Sequence, residues 1–126
     1  MSYRTDRQRV QGLGSAQEGT GQFWQQRVTA VALVPLFVLF VFPFAKALGT
    51  SHENVVAVYS NPFNAIVAIL FILVAFRHLG LGLQTIIEDY VSNHGTRTAA
   101  LIGSILFCYA LALAGVFAVA KIALTA

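Results

Sequence analysis

Charge is what this sequence has least of. Eight lysines and arginines and five aspartates and glutamates make up 10% of its 126 residues, while 57% are apolar or aromatic and the mean hydropathy is +0.72. A soluble domain of this size keeps itself in solution with a charged surface, and these residues are too few to build one. The chain therefore reads as an integral membrane protein of a single domain. Cysteine is nearly absent: Cys108 stands alone in an apolar run, which excludes an internal disulfide and any metal site made only of thiolates. No basic patch is interleaved with aromatic residues, so the net charge of +3 bears on membrane topology and not on nucleic acid. A cleavable leader is not expected either. The first 27 residues are polar, carry Arg4, Arg7, Arg9 and Arg27, and contain no short apolar region ending at a small-residue cleavage site. The first apolar run is expected to remain as an anchor.

What is present is long apolar runs, and they predict an all-α membrane protein with three transmembrane helices, at about 24–47, 62–91 and 97–124. Each can cross a hydrocarbon layer of ~30 Å at ~1.5 Å per residue. Residues 1–21 are rich in Gln, Gly, Ser and charge, so a loosely ordered polar cytoplasmic tail is expected there, with 22–126 as the anchor domain. Phe23 and Trp24 suit the membrane interface. Pro35 predicts a kink and Pro43 the approach of the helix end, while Lys46 can snorkel to the far surface. Residues 48–61 read as a loop in which Val55–Val58 makes a brief helical turn along the membrane surface. Asn61-Pro62 is a helix-start signal. Asn93-His94-Gly95-Thr96 predicts a tight turn, with the third helix starting near Thr96 or Thr98. Gly103, Ser104, Ala110, Ala112, Ala114, Gly115 and Ala118 would let that helix approach another closely in lipid.

Three crossings place the termini on opposite sides. Arg4, Arg7, Arg9, Arg27 and Arg97 fall on one side, Lys46 and Lys121 on the other. That asymmetry predicts a cytoplasmic N-terminus and a periplasmic C-terminus, or a matrix N-terminus in a mitochondrion.

The chemistry is concentrated in Arg77–Tyr90. An ionisable side chain in hydrocarbon is costly and marks a functional site. His78 fits two readings: an axial ligand to haem iron, or a buried histidine hydrogen-bonded to a neighbouring helix. His52 and His94 lie at other depths, so a second histidine ligand has to come from another polypeptide. Arg77 fits a counter-ion for a haem propionate, a polar seam, or snorkelling to headgroups. Asp89 follows His78 by eleven residues, which returns it to the same face ~16 Å along the axis. Gly80 and Gly82 leave room for something flat, a haem or another helix. Asp89 and Tyr90 read as a quinone site or as a solvated helix end with an interfacial tyrosine. Glu88 and Asp89 oppose the helix dipole, which predicts cationic partners such as Arg27 or Arg97.

The pattern His78-x-x-x-Gly82-x-Gln84-x-x-x-Glu88-Asp89-Tyr90-Val91 resembles the second-helix signature of the small hydrophobic membrane anchors of succinate dehydrogenases (complex II). Trp24-Gln25-Gln26-Arg27-Val28-Thr29-Ala30 is similar to that family's lead into its first helix, so the resemblance runs from about residue 19 onward. It implies that His78 is one axial ligand of a b-type haem (haem b), the other being a histidine of the second anchor polypeptide of the complex. It implies that Tyr90 hydrogen-bonds a ubiquinone carbonyl with Asp89 beside it, and that Arg27 lies near the haem propionates and the quinone. Arg77 has no counterpart in the resemblance and keeps its propionate role from position alone. The implied partners are that second anchor, the iron–sulfur protein, the flavoprotein and membrane lipids. The implied place is the bacterial inner membrane in preference to the mitochondrial one. The chain alone would not be an enzyme. An anchor of a quinol:fumarate reductase and a non-redox three-helix scaffold are the rival readings. A transporter is disfavoured by the lack of internal repeats.

Overall fold

In the computed structural model, residues 3, 5–7 and 17–125 are described. The tail expectation, including Arg4 and Arg9, therefore falls mostly outside the described residues. Among these residues four helices of eight residues or more follow one another: α1 (Gln17–Ala47), α2 (His52–Tyr59), α3 (Pro62–Tyr90) and α4 (His94–Thr125). Among the described residues there is no strand. Within α1, α3 and α4, the spans Gly21–Ala47, Pro62–Tyr90 and His94–Thr125 are long and apolar enough to cross a membrane. At 31, 29 and 32 residues and ~1.5 Å per residue, the helices exceed a ~30 Å hydrocarbon layer and extend into the headgroup regions.

Local chemistry sets the boundaries. The first helix begins at Gln17, earlier than expected, so the end of the predicted tail is helical. Pro35 and Pro43 both lie inside it, and one further turn follows Pro43. It stops where Gly49 takes φ +75°, a left-handed conformation that suits glycine, and where the Thr50 hydroxyl donates to the Ala47 carbonyl at 2.6 Å. Ser51 then caps α2, which is a two-turn helix rather than the single turn expected. Asn61 caps α3 by accepting from the Phe63 N–H at 3.0 Å, with Pro62 in the first turn. The start of α4 is also earlier than expected. Asn93 Oδ1 accepts from the Thr96 N–H at 3.2 Å, so the turn is shorter and His94 is already helical. Arg97 Nε donates to the Val91 carbonyl at 2.8 Å and closes the end of α3.

Three long helices pack in an open row, with the short α2 at one end. Helix α3 is central and packs along both α1 and α4; among the described residues, the backbones of those two outer helices do not approach each other. Helix α2 touches all three. Its Val55 and Val58 turn inward, with Phe40, Val119 and Ile122, onto the buried Ala47, Tyr59 and Ala68. It packs on the ends of the long helices through its valines, while His52, Glu53 and Asn54 stay exposed. Burial raises the Tyr59 hydroxyl above its ordinary pKa of 10.0, so the phenol stays uncharged at neutral pH.

Few residues are buried, and most of them are small: Ala65, Ala68, Cys108 and Ala112 belong to the α3–α4 part of the bundle. Of the small residues expected to admit a close neighbour, Ala112 is buried, and Gly115 makes the tightest approach. A Cβ at Gly115 would lie 3.2 Å from Ile72 Cδ1, whereas nothing comes within 4 Å at Gly103. The seam between α1 and α3 is aromatic, with Phe40 and Phe71 stacked at 4.4 Å. Large apolar side chains elsewhere face outward, as befits a surface met by lipid or by other membrane helices.

Candidate functional site

Because α1 and α3 run antiparallel, the start of α1 lies beside the end of α3. Gln22 Nε2 donates to Thr85 Oγ1 at 3.2 Å, and deeper in the bundle Thr29 Oγ1 lies 3.0 Å from His78 Nδ1. Between these levels, a Cβ on Gly82 would come within 3.7 Å of Gln26 Nε2. A Cβ on Gly80 would come within 3.9 Å of Cys108 Sγ on the opposite flank. The room expected at the two glycines is thus taken by neighbouring helices of the same chain: Gly82 admits α1 and Gly80 admits α4. Gln26 Oε1 is buried, with no donor in reach among the described residues.

His78 is half-buried and lines a shallow groove of ≈ 500 Å³ whose other walls are apolar: Leu33, Val34, Phe37 and Val38 of α1, with Phe71, Ala75 and Leu79 of α3. Its Nδ1 is engaged by Thr29, and no other hydrogen bond to the ring is formed among the described residues. The two readings of His78 are therefore compatible. One nitrogen is held by a neighbouring helix, and the other has no hydrogen-bond partner among the described residues. Among the described residues no three His, Cys, Asp or Glu side chains gather as a metal site, and His78 is the one side chain of those types that lines this groove.

Arg27 sits on the same stripe of α1 as Val31, Val34 and Val38, at i, i+4, i+7 and i+11. It lies nearer the N-terminal end than the groove, and its guanidinium stands 4.7 Å from the centroid of the Phe23 ring. Arg77 goes elsewhere. It donates from Nη2 to Gln25 Oε1 and lines two other cavities, one with Gln22 and Glu88 and one with Cys108 and Tyr109. Its side chain reaches back toward the start of α1, among the polar side chains Gln22, Gln25, Gln84 and Glu88.

Asp89 and Tyr90 close the last turn of α3, about one turn beyond Thr85, and Tyr90 is 83% exposed. The expected cationic partners of Glu88 and Asp89 are not found among the described residues. Arg97 is occupied by the Val91 carbonyl and Arg27 stands over Phe23, while Glu88 accepts from Gln84 Nε2 at 3.0 Å. Both arginines have nearer partners, and an exposed carboxylate at a helix end is well solvated without them. Gln22, Gln26 and Thr29 join the site although nothing in the sequence marks them individually. The available signal is their spacing, which puts three polar groups on one face at the mouth of an apolar helix.

These features define a class: a three-helix membrane anchor that offers one histidine to an open apolar groove and an acid–phenol pair at the adjoining membrane surface. The chain belongs to the succinate dehydrogenase/fumarate reductase transmembrane subunit family, which it matches over residues 1–119. It is 42% identical over 126 residues to the succinate dehydrogenase hydrophobic membrane anchor subunit of Paracoccus denitrificans, covering 100% of this chain and 97% of that one. The protein of the same name from Rickettsia bellii is 31% identical over 106 residues, 83% of this chain and 84% of that one. A succinate dehydrogenase membrane anchor subunit of Reclinomonas americana is 28% identical over 86 residues, 66% and 72% of the two chains. No solved structure matches the chain.

Proposed function

We propose that the chain is the hydrophobic membrane anchor of a succinate:ubiquinone oxidoreductase, with His78 as one axial ligand of a b-type haem and Tyr90 and Asp89 at the ubiquinone-reduction site. The observation that carries the reading is the His78 ring, held at Nδ1 and set in the wall of a groove that is apolar apart from the ring itself. An apolar groove open on one side suits a porphyrin whose other face is covered by a second anchor polypeptide. Bound there, a b-type haem supplies a one-electron redox centre. Arg27 is the arginine we assign to its propionates, because it continues the groove's own α1 stripe toward the N-terminal end. Arg77 lines cavities away from the groove and has a partner in Gln25.

Succinate oxidation belongs to the soluble flavoprotein, and this chain shapes the acceptor site. Ubiquinone is a lipid-soluble substrate and meets its electrons at the protein–lipid boundary. The Tyr90 hydroxyl, exposed at that boundary, donates to a quinone carbonyl and stabilises negative charge as it develops. Asp89 lies beside it to hold or pass a proton arriving from the cytoplasmic side. The iron–sulfur protein sits over this end, covering Tyr90 and the exposed Phe23 and Trp24. The names of the relatives favour succinate oxidation over fumarate reduction.

The test is purification of the intact complex through a tag on this chain. Flavin, iron–sulfur clusters and a reduced b-type haem spectrum should travel with it. A complex with flavin but no haem would overturn the role of His78, and a chain recovered without flavin would overturn the whole reading. Tyr90→Phe should lower ubiquinone reduction by about tenfold or more, the scale of one hydrogen bond to a developing charge. Succinate oxidation by a soluble dye should be nearly unchanged, and an equal fall in both activities would show that Tyr90 serves assembly.

A further inference from the structure

We propose that Thr29 is a positioning residue that fixes the tautomer of His78 and so decides which ring nitrogen is free to bind iron. The inference rests on the haem-ligand reading and adds to it the chemical state of the ring. Thr29 Oγ1 lies 2.7 Å from the Gln25 carbonyl oxygen, 3.0 Å from that of Gln26, and 3.0 Å from His78 Nδ1. A hydroxyl has one proton to give. Inside a helix a threonine ordinarily gives it to the carbonyl three or four residues back, and the contact to Gln25 is the shortest of the three. The proton goes to the backbone, and the oxygen meets His78 with lone pairs only. Nδ1 therefore carries hydrogen and donates it to Thr29.

A neutral imidazole has a single N–H, so Nε2 keeps its lone pair. Among the described residues no donor reaches it. This is the tautomer that a ligand to iron through Nε2 requires. The same hydrogen bond holds the ring plane and makes Nε2 a stronger electron donor. The geometry also explains why a polar side chain stands at this depth of α1: it faces an imidazole on the next helix.

Two substitutions separate the hydrogen bond from packing. Thr29→Val keeps the branched shape and removes the oxygen, while Thr29→Ser keeps the oxygen. Each variant complex would be purified intact, its haem midpoint potential titrated, and the oxidised haem examined by electron paramagnetic resonance. Thr29→Val should show a higher potential and altered g-values, or lose part of its haem, because a weaker donor favours ferric iron less. A tenfold change in that preference is about 59 mV for a one-electron couple. Thr29→Ser should match the parent. Parental potential and g-values in Thr29→Val would overturn the proposal, as would equal shifts in both variants, which would trace the effect to shape. If His78 variants keep the parental haem signals, the haem reading falls and this inference falls with it. If His78 variants lose those signals while Thr29→Val does not alter them, only the tautomer assignment falls.

Discussion

His78→Ala should strip this chain's share of the haem coordination from the complex while leaving the succinate-oxidising half intact. Loss of a whole ligand should weaken haem retention by more than the ~10- to 100-fold typical of losing a hydrogen-bond partner of a ligand. The absorption bands of the purified, reduced variant would report this directly, as a b-type spectrum lost or shifted to a lower coordination number. Flavin content and dye-linked succinate oxidation should stay near parental values, because His78 lies about three turns of α3 away from Asp89 and Tyr90, the end over which the iron–sulfur protein is proposed to sit. The expectation follows from position: the other histidines, His52 and His94, lie beyond the ends of the α3 span and cannot substitute. An unchanged spectrum would move the ligand to another chain.

The second large effect belongs to the α3–α4 seam. Gly115→Leu should destabilise the bundle by roughly 1–3 kcal/mol or more, the usual cost of forcing extra methylenes into a packed contact. Even a Cβ would sit 3.2 Å from Ile72 Cδ1 and 3.4 Å from its Cγ2, so a leucine enters only if the Ile72 side chain shifts or the helices part. Thermal unfolding of the detergent-solubilised complex, followed by loss of activity, would measure the change. Ile72→Ala in the Gly115→Leu background should recover part of it, and strictly additive losses would show that the two positions do not meet. Gly103→Leu is the control, since no atom lies within 4 Å of its Cβ position; it should be far milder.

The three crossings can be read from the sequence because hydrocarbon leaves the backbone few ways to satisfy its hydrogen bonds. Helix ends are legible where a side chain announces them, as Asn61-Pro62 does. They mislead where the deciding group serves two roles. Asn93 looks like part of a turn, yet its side chain caps α4 and moves the start forward to His94. Helix α2 is longer than its sequence suggests, and two of the valines that read as a surface segment pack onto the ends of the long helices.

At the site, the helical period correctly places His78 and Asp89 on one continuous helix. It cannot say what stands opposite. Thr29 is invisible to any count along α3, since its relation to His78 arises only when α1 is laid alongside. The same holds for the glycines. An absent side chain shows that something comes close, but only the packing reveals that it is Gln26 on one flank and Cys108 on the other. Arg77 and His78 are neighbours in sequence, yet the ~100° between successive helical residues sends them to different cavities.

The separation of α1 from α4 has a biosynthetic consequence. An open row of helices, unlike a closed bundle, covers the flanks of its middle member but leaves faces of it open, so a newly inserted copy that finds no mate is an unfinished object. Quality-control proteases act on such orphans, and the lifetime of this polypeptide should therefore track the supply of the other subunits of its complex more closely than its own rate of synthesis.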